Sequence, residues 1–155
     1  MSIGKDAPVL RDAVTDGIVT LRPPRPGDAA LLKAGRDDEF HRWLGSGSDD
    51  PQPTACIVVD DEVVGWIDYD REGPWLADDA VNIGYSLFPA ARGNGYATRA
   101  LALLLRELAA TSDHETATVL IDPHNTRSLA VAHRAGFVEC GEVDGQVLLS
   151  RSIRT

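Results

Sequence analysis

Residues 86–110, SLFPAARGNGYATRALALLLRELAA, constrain this chain more than any other stretch. An apolar run ends at Pro89, passes through Arg92-Gly93-Asn94-Gly95, and continues as a helical pattern. Ala97, Leu101, Leu104, Leu105 and Leu108 fall on one stripe of that helix, with Arg99, Arg106 and Glu107 on the other side. Two glycines where a strand becomes a helix serve either a tight turn or a backbone that a ligand approaches closely, because glycine carries no Cβ to obstruct either.

The rest of the chain places this handover in a mixed α/β fold. The first 16 residues carry no strong pattern and read as a frayed or peripheral segment. A strand over 17–23 stops at prolines, and a short helix opened by Pro26 and Asp28 follows, with a second helical piece over 38–44. Two strands, 54–59 and 62–69, meet at Asp60-Asp61 as a hairpin. After the strand 81–88 and the helix 96–110 come a strand over 115–121 and a helix opened by Asn125 and closed by Gly136-Phe137. A hairpin about Asp144-Gly145 ends the chain. The predicted order is β-α-α-β-β-β-α-β-α-β-β, a mixed sheet with helices packed on it. Its two central β-α units are where strand ends and helix N-termini form a site.

Length and charge narrow the function. At 155 residues the chain is expected to be one domain with a real core. A net charge of -9 offers no basic stripe, so nucleic acid is not an expected partner. Cys56 and Cys140 lie in no metal-ligand spacing, in apolar strand-like contexts, and both are expected as buried free thiols. No metal site is expected. No window suits a signal peptide or a membrane span, so the expected location is cytoplasmic. Leu103, off the buried stripe of its helix, is the one hint of a partner surface and leaves room for a homodimer.

Three ligand readings compete at the glycine turn. A P-loop needs Lys-Ser/Thr after its glycines, and GNGYATRA has neither in place. A dinucleotide fingerprint needs a third glycine where Thr98 stands, and Asp122 lies beyond the usual position of the ribose ligand. The third reading is a pyrophosphate cradle in which main-chain N–H groups from Gly93 to Thr98 meet the anion. Small Ala97 leaves room, and Arg92 and Arg99 add charge.

Arg92-Gly93-Asn94-Gly95-Tyr96-Ala97 resembles the acetyl-CoA loop of the GNAT N-acetyltransferases, Gln/Arg-x-x-Gly-x-Gly/Ala, with Arg92, Gly95 and Ala97 at its fixed positions. IGYSLFP before it is similar to the family's fourth strand, and IDPHNTRSLAVAHRAGF to a second motif, Asn-x-x-Ser with a helix ending in Gly-Phe. VTLRPPRPGDAALL is similar to the family's first strand and helix. The resemblance covers residues 18–150 and is nearest the branch containing ribosomal-protein N-terminal acetyltransferases.

The resemblance implies direct acetyl transfer from acetyl-CoA to a primary amine, on a protein N-terminus or a small molecule. It implies cofactor contacts from Arg92, Gly93, Asn94, Gly95, Tyr96, Ala97 and Thr98, from the main chain of Leu87 and Phe88, and from Asn125. Ser128 stands where it would donate to the departing sulfur, because the family's later tyrosine position holds Ala132. The glutamate that some members use as base is replaced by Asn82, leaving Asp68, Asp70, Asp78 and Asp79 as nearby carboxylates. The absence of an evident base favours an α-amine or another weakly basic amine as acceptor. Loops 44–53 and 71–80 would choose that acceptor, with Trp43 and Trp75 at their borders, while His124 and His133 read as surface residues. Asn82 and Ala132 also feed a reading as a non-catalytic acyl-CoA-binding module.

Overall fold

Both predicted hairpins form on left-handed turns. Asp60 and Asp61 have φ of 51° and 64°, Asp144 and Gly145 of 49° and 83°, the conformation that two-residue hairpin loops need to match strand twist. The computed structural model describes residues 7–154. In chain order the elements are β1 (Val14–Thr15), β2 (Thr20–Arg22), α1 (Asp28–Ala34), α2 (Asp38–Leu44), β3 (Ala55–Val59), β4 (Glu62–Asp70) and β5 (Ala80–Leu87). A 3₁₀ turn at Pro89–Ala91 follows, then α3 (Tyr96–Thr111), β6 (Thr116–Ile121), α4 (Thr126–Arg134), β7 (Val138–Val143) and β8 (Gln146–Ser152).

The strands form one sheet in the order β1-β2-β3-β4-β5-β6-β8-β7. Of the first 16 residues, expected as a frayed or peripheral segment, residues 1–6 lie outside the described residues, and β1 is an end strand of the sheet. Val14–Thr15 pairs with β2, Leu10 is buried, and its N–H donates to Thr54 O.

Side-chain alternation along the strands divides the core. Ile57, Ile67, Val81 and Val119 join Leu101, Leu104 and Leu108 of α3 in the main cluster, which α4 enters through Ala132. Cys56 and Trp66 point the other way, against Leu32 of α1 and Phe40 of α2. Leu103 is buried at 2% exposure, which overturns its reading as a partner surface. The helix is covered more widely than one stripe, because both the sheet and its neighbouring elements close over it. Cys140 is exposed and not buried, since β7 is the sheet's outer strand and its residues face solvent.

The only parallel pair among the described strands positions the site. β5 and β6, joined through α3, pair through Ala80–Asn82 and Thr116–Thr118 and no further. Beyond that rung β5 follows β4 to Leu87, and β6 follows β8 to Ile121. The two strands therefore part, and a wedge opens between them. Thr118 seals its apex, with Oγ1 at 3.1 Å from Val81 O and 3.0 Å from Asn82 Oδ1.

Candidate active site

The wedge holds a cavity of about 660 Å³. Its walls come from β5, β6, the start of α3, the inner side of α4 and the end of α2. Gly93, Gly95, Tyr96, Ala97 and Thr98 line its mouth.

The mouth is built for close approach. Gly93 and Gly95 have φ of +81° and +79°, and a Cβ added to either would meet nothing within 4 Å. Gly95 caps α3 with no side-chain hydrogen bond, so the first N–H groups of this 16-residue helix have no capping acceptor among the described residues. Thr98 Oγ1 is buried with no hydrogen-bond partner among the described residues. Free donors, helix dipole and open space together fit a diphosphate whose charge is met by main chain. Coenzyme A is therefore a group that these residues can hold.

Arg92 lines the cavity, but its charge is already engaged. Its guanidinium lies 2.8 Å from Asp37 and 2.6 Å from Glu39, both at the start of α2. Asp37 also caps α2 by accepting from Phe40 N–H. Arg92 thus ties the turn before α3 to α2, a use that sequence spacing does not show. Arg99 likewise pairs with Asp16, at 2.9 Å.

Two expected contacts lie off the cavity wall. The Asn94 amide donates to Ala91 O and Arg92 O, which holds the turn from within. Phe88 N–H donates to Val64 O at 2.7 Å, and its ring packs against Gly35. Of the expected strand pair, only Leu87 faces the wedge. Past Asn82 the β6 side of β5 has no registered strand partner, which is the edge an extended ligand arm would use.

Opposite this edge stands α4. Asn125 is its N-cap and accepts from Ser128 N–H at 3.2 Å. The helix closes as expected, with Gly136 at φ +88°, Phe137 N–H on Ala132 O and Gly136 N–H on His133 O. Ser128 faces inward, and its Oγ lies 2.7 Å from the Tyr85 hydroxyl. Burial pushes the Tyr85 phenol up to about 12, with the Ser128 hydrogen bond acting the other way. Sequence reasoning passed over Tyr85; the signal available was its place in IGYSLF, one residue after the glycine of that strand.

The carboxylates are distributed unlike the expectation. Asp68, Asp70, Asp78 and Asp79 do not line the cavity, whereas Glu39 and Asp122 do. Burial raises Asp70, whose Oδ1 accepts from Glu72 N–H. Glu39 is held by Arg92, and the Asp122 carboxyl is lowered chiefly by the N–H of His124. Asn82, at the position of the missing glutamate, is 4% exposed and turned to Thr118. Trp43 contributes to the wall near α2, with Arg42 over its ring at 4.5 Å. His124 and His133 are outside the lining, His124 bonded to Asp122.

The sequence pattern of the Acetyltransferase (GNAT) domain matches residues 19–138. Among solved structures, RimJ of Mycobacterium smegmatis in complex with CoA-disulfide is 26% identical, with a TM-score of 0.70 over 88% of this chain and 82% of that one. The ribosomal-protein-S5-alanine acetyltransferase of Vibrio fischeri is 17% identical, with a TM-score of 0.76 over 92% and 97%. The aminoglycoside acetyltransferase AAC(6')-Ib, in complex with coenzyme A and kanamycin, is 19% identical, with a TM-score of 0.75 over 86% and 94%. No curated protein sequence matches the chain. The parted strands, the glycine turn and the match over most of the sequence agree: the chain belongs to the GNAT acetyltransferase family.

Proposed function

We propose that the protein transfers an acetyl group from acetyl-CoA to a primary amine, either a protein N-terminus or a small amine. The observation that carries this reading is the uncapped start of α3, with two left-handed glycines open to a cavity between parted strands. Acetyl-CoA supplies the activated thioester, and the protein supplies position and polarity. Main-chain N–H groups from Gly93 to Thr98 take the diphosphate, Asn125 contacts the ligand from α4, and the free edge of β5 at Leu87 aligns the extended arm. Because Phe88 N–H is committed to Val64, polarising the acyl carbonyl falls to donors on the open side of β5. Ser128 donates to the sulfur as it leaves.

The acceptor class follows from what the wall lacks. Both carboxylates on it are engaged, Glu39 with Arg92 and Asp122 with His124. The amine must then arrive with a substantial neutral fraction. At pH 7 an α-amine with pKa near ~8 is roughly a tenth neutral, whereas a lysine near ~10.4 is neutral at only a few parts in ten thousand. This favours an α-amine.

The same lack supports a second reading, an acyl-CoA-binding module without turnover. The two part on one assay: an enzyme releases free thiol when peptides with free N-termini are added, and a binding module does not. Binding itself is tested by calorimetric titration of acetyl-CoA into the wild type and Gly95→Trp. Micromolar binding lost in the folded variant is the expected result. Equal binding in both, or none in either, would refute the site.

A further inference from the structure

We infer that Tyr85 is a positioning residue for acetyl transfer: its phenol donates to Ser128 Oγ and leaves the serine's own proton free to meet the leaving sulfur. This rests on the acyl-CoA reading above. Tyr85 stands on β5 and Ser128 on α4, so their hydrogen bond spans the wedge whose walls both residues line.

The direction of that bond follows from the acidity of its two hydroxyls. A phenol has one O–H to donate, and Tyr85, half-buried on the cavity wall, holds it within reach of α4. Two acceptors are recorded for Tyr85, Ser128 Oγ at 2.7 Å and Ser128 O at 3.5 Å. The first is an ordinary O–H···O distance, while the second lies beyond the usual range. Of the two hydroxyls the phenol is by far the stronger acid and so the better donor, which assigns the proton of this bond to Tyr85. The serine hydroxyl accepts there and keeps its single proton for another partner, with no second acceptor for it among the described residues.

Burial strengthens the assignment, because it keeps the phenol protonated, and so a donor, across the whole neutral range. Ala132, one turn further along α4, is fully buried and has no polar side chain, so no hydroxyl on that turn competes for the sulfur.

The chemical balance is simple. The amine nitrogen bonds to the acetyl carbon, the carbon–sulfur bond breaks, and its electron pair goes to sulfur. A thiol is a stronger acid than an alcohol, so Ser128 keeps its proton and stabilises the thiolate by a hydrogen bond. Water takes the proton from the acylated nitrogen and returns one to the sulfur. Without Tyr85, the Ser128 proton is free to turn to a carbonyl of the preceding helical turn, as serines in helices do.

The test titrates the thiol of bound coenzyme A by the ultraviolet absorbance of its thiolate. It compares wild type, Ser128→Ala, Tyr85→Phe and the double variant, after calorimetry shows that each binds the ligand. Ser128→Ala should raise the bound thiol's apparent pKa by about one unit, the effect expected of one hydrogen bond to a charged group. Tyr85→Phe should raise it comparably, and the double variant no further than Ser128→Ala alone, the non-additivity of a shared path. With a peptide acceptor, kcat should fall about tenfold in each single variant, one pKa unit of charge stabilisation, while KM for acetyl-CoA stays within twofold. A wild-type thiol pKa in Tyr85→Phe, or additive shifts in the double variant, would overturn the role of Tyr85 and leave the acyl-CoA site standing. Absence of coenzyme A binding by the wild type would instead bring down the site and this role with it.

Discussion

Arg92 grips Asp37 with both ends of its guanidinium, Nη1 to Oδ2 at 2.8 Å and Nη2 to Oδ1 at 3.0 Å, across 55 residues of sequence. The forked geometry of arginine on a carboxylate makes this a directional link and not only an attraction. It joins the turn that opens α3 to the cap of α2, and so ties together two walls of the cavity.

The link predicts a titration. The Arg92 hydrogen bond, helped by Phe40 N–H, lowers the Asp37 carboxyl from 3.8 to about 2. A carboxyl depressed in the folded state contributes stability that is complete above its unfolded value and is lost as pH falls through the folded one. The contribution of Asp37 should therefore disappear between 3.8 and about 2. Arg92→Gln should move the Asp37 midpoint upward, as followed by the carboxyl carbon resonance. An unmoved midpoint would show that the pair does not persist in solution.

Gly65 is predicted to be intolerant of alanine for lack of space. A Cβ there would sit 2.2 Å from Ser86 O and 2.9 Å from Leu87 Cα, both main-chain atoms on β5. Neither can turn aside as a flexible side chain would, so the strand must shift at the part that edges the cavity. Overpacking of this kind costs about 1–3 kcal/mol. Chemical denaturation should show that loss in Gly65→Ala together with weaker acetyl-CoA binding, whereas unchanged stability would mean that β5 yields freely.

The apex of the wedge is also testable. Thr118 is 7% exposed and is the hydroxyl partner of Asn82, itself 4% exposed. Thr118→Val keeps the shape and removes the hydroxyl, leaving a buried amide short of a partner at a cost of about 1–3 kcal/mol. Denaturation with a midpoint equal to wild type would argue that water takes the hydroxyl's place.

The two cysteines should react at different stages of unfolding. Cys140 is exposed, while burial, followed by the nearby Asp28 charge, pushes the Cys56 thiol up to about 12. The thiolate is the reactive form, so an aromatic disulfide reagent should modify one thiol in the native protein and the second only after denaturation. Fast modification of both at neutral pH would contradict the burial of Cys56.

Much of the fold was legible before any coordinate. Strand and helix periods, the left-handed turns at Asp60-Asp61 and Asp144-Gly145, and the Gly136-Phe137 helix end are local properties, set by sterics and by side chains close in sequence. The glycines at 93 and 95 belong with them, since the positive φ that each adopts is what glycine tolerates. From these alone came the mixed α/β fold and the family resemblance, together with the expectation of a cradle at the glycine turn.

Other features exist only because distant segments meet. Leu10 gains its cover from the folded body, Leu103 is enclosed on a side that one helical stripe does not anticipate, and Cys140 is exposed because β7 has a neighbour on one side alone. Arg92 reads as a cradle cation in sequence, but Asp37 and Glu39, brought up by α2, claim its charge. Tyr85 and Ser128 lie 43 residues apart, and no spacing rule connects them. A residue's conformation is governed by its near neighbours along the chain; its partners are decided by the closing of the sheet, and in this protein the chemistry of the site depends on those partners.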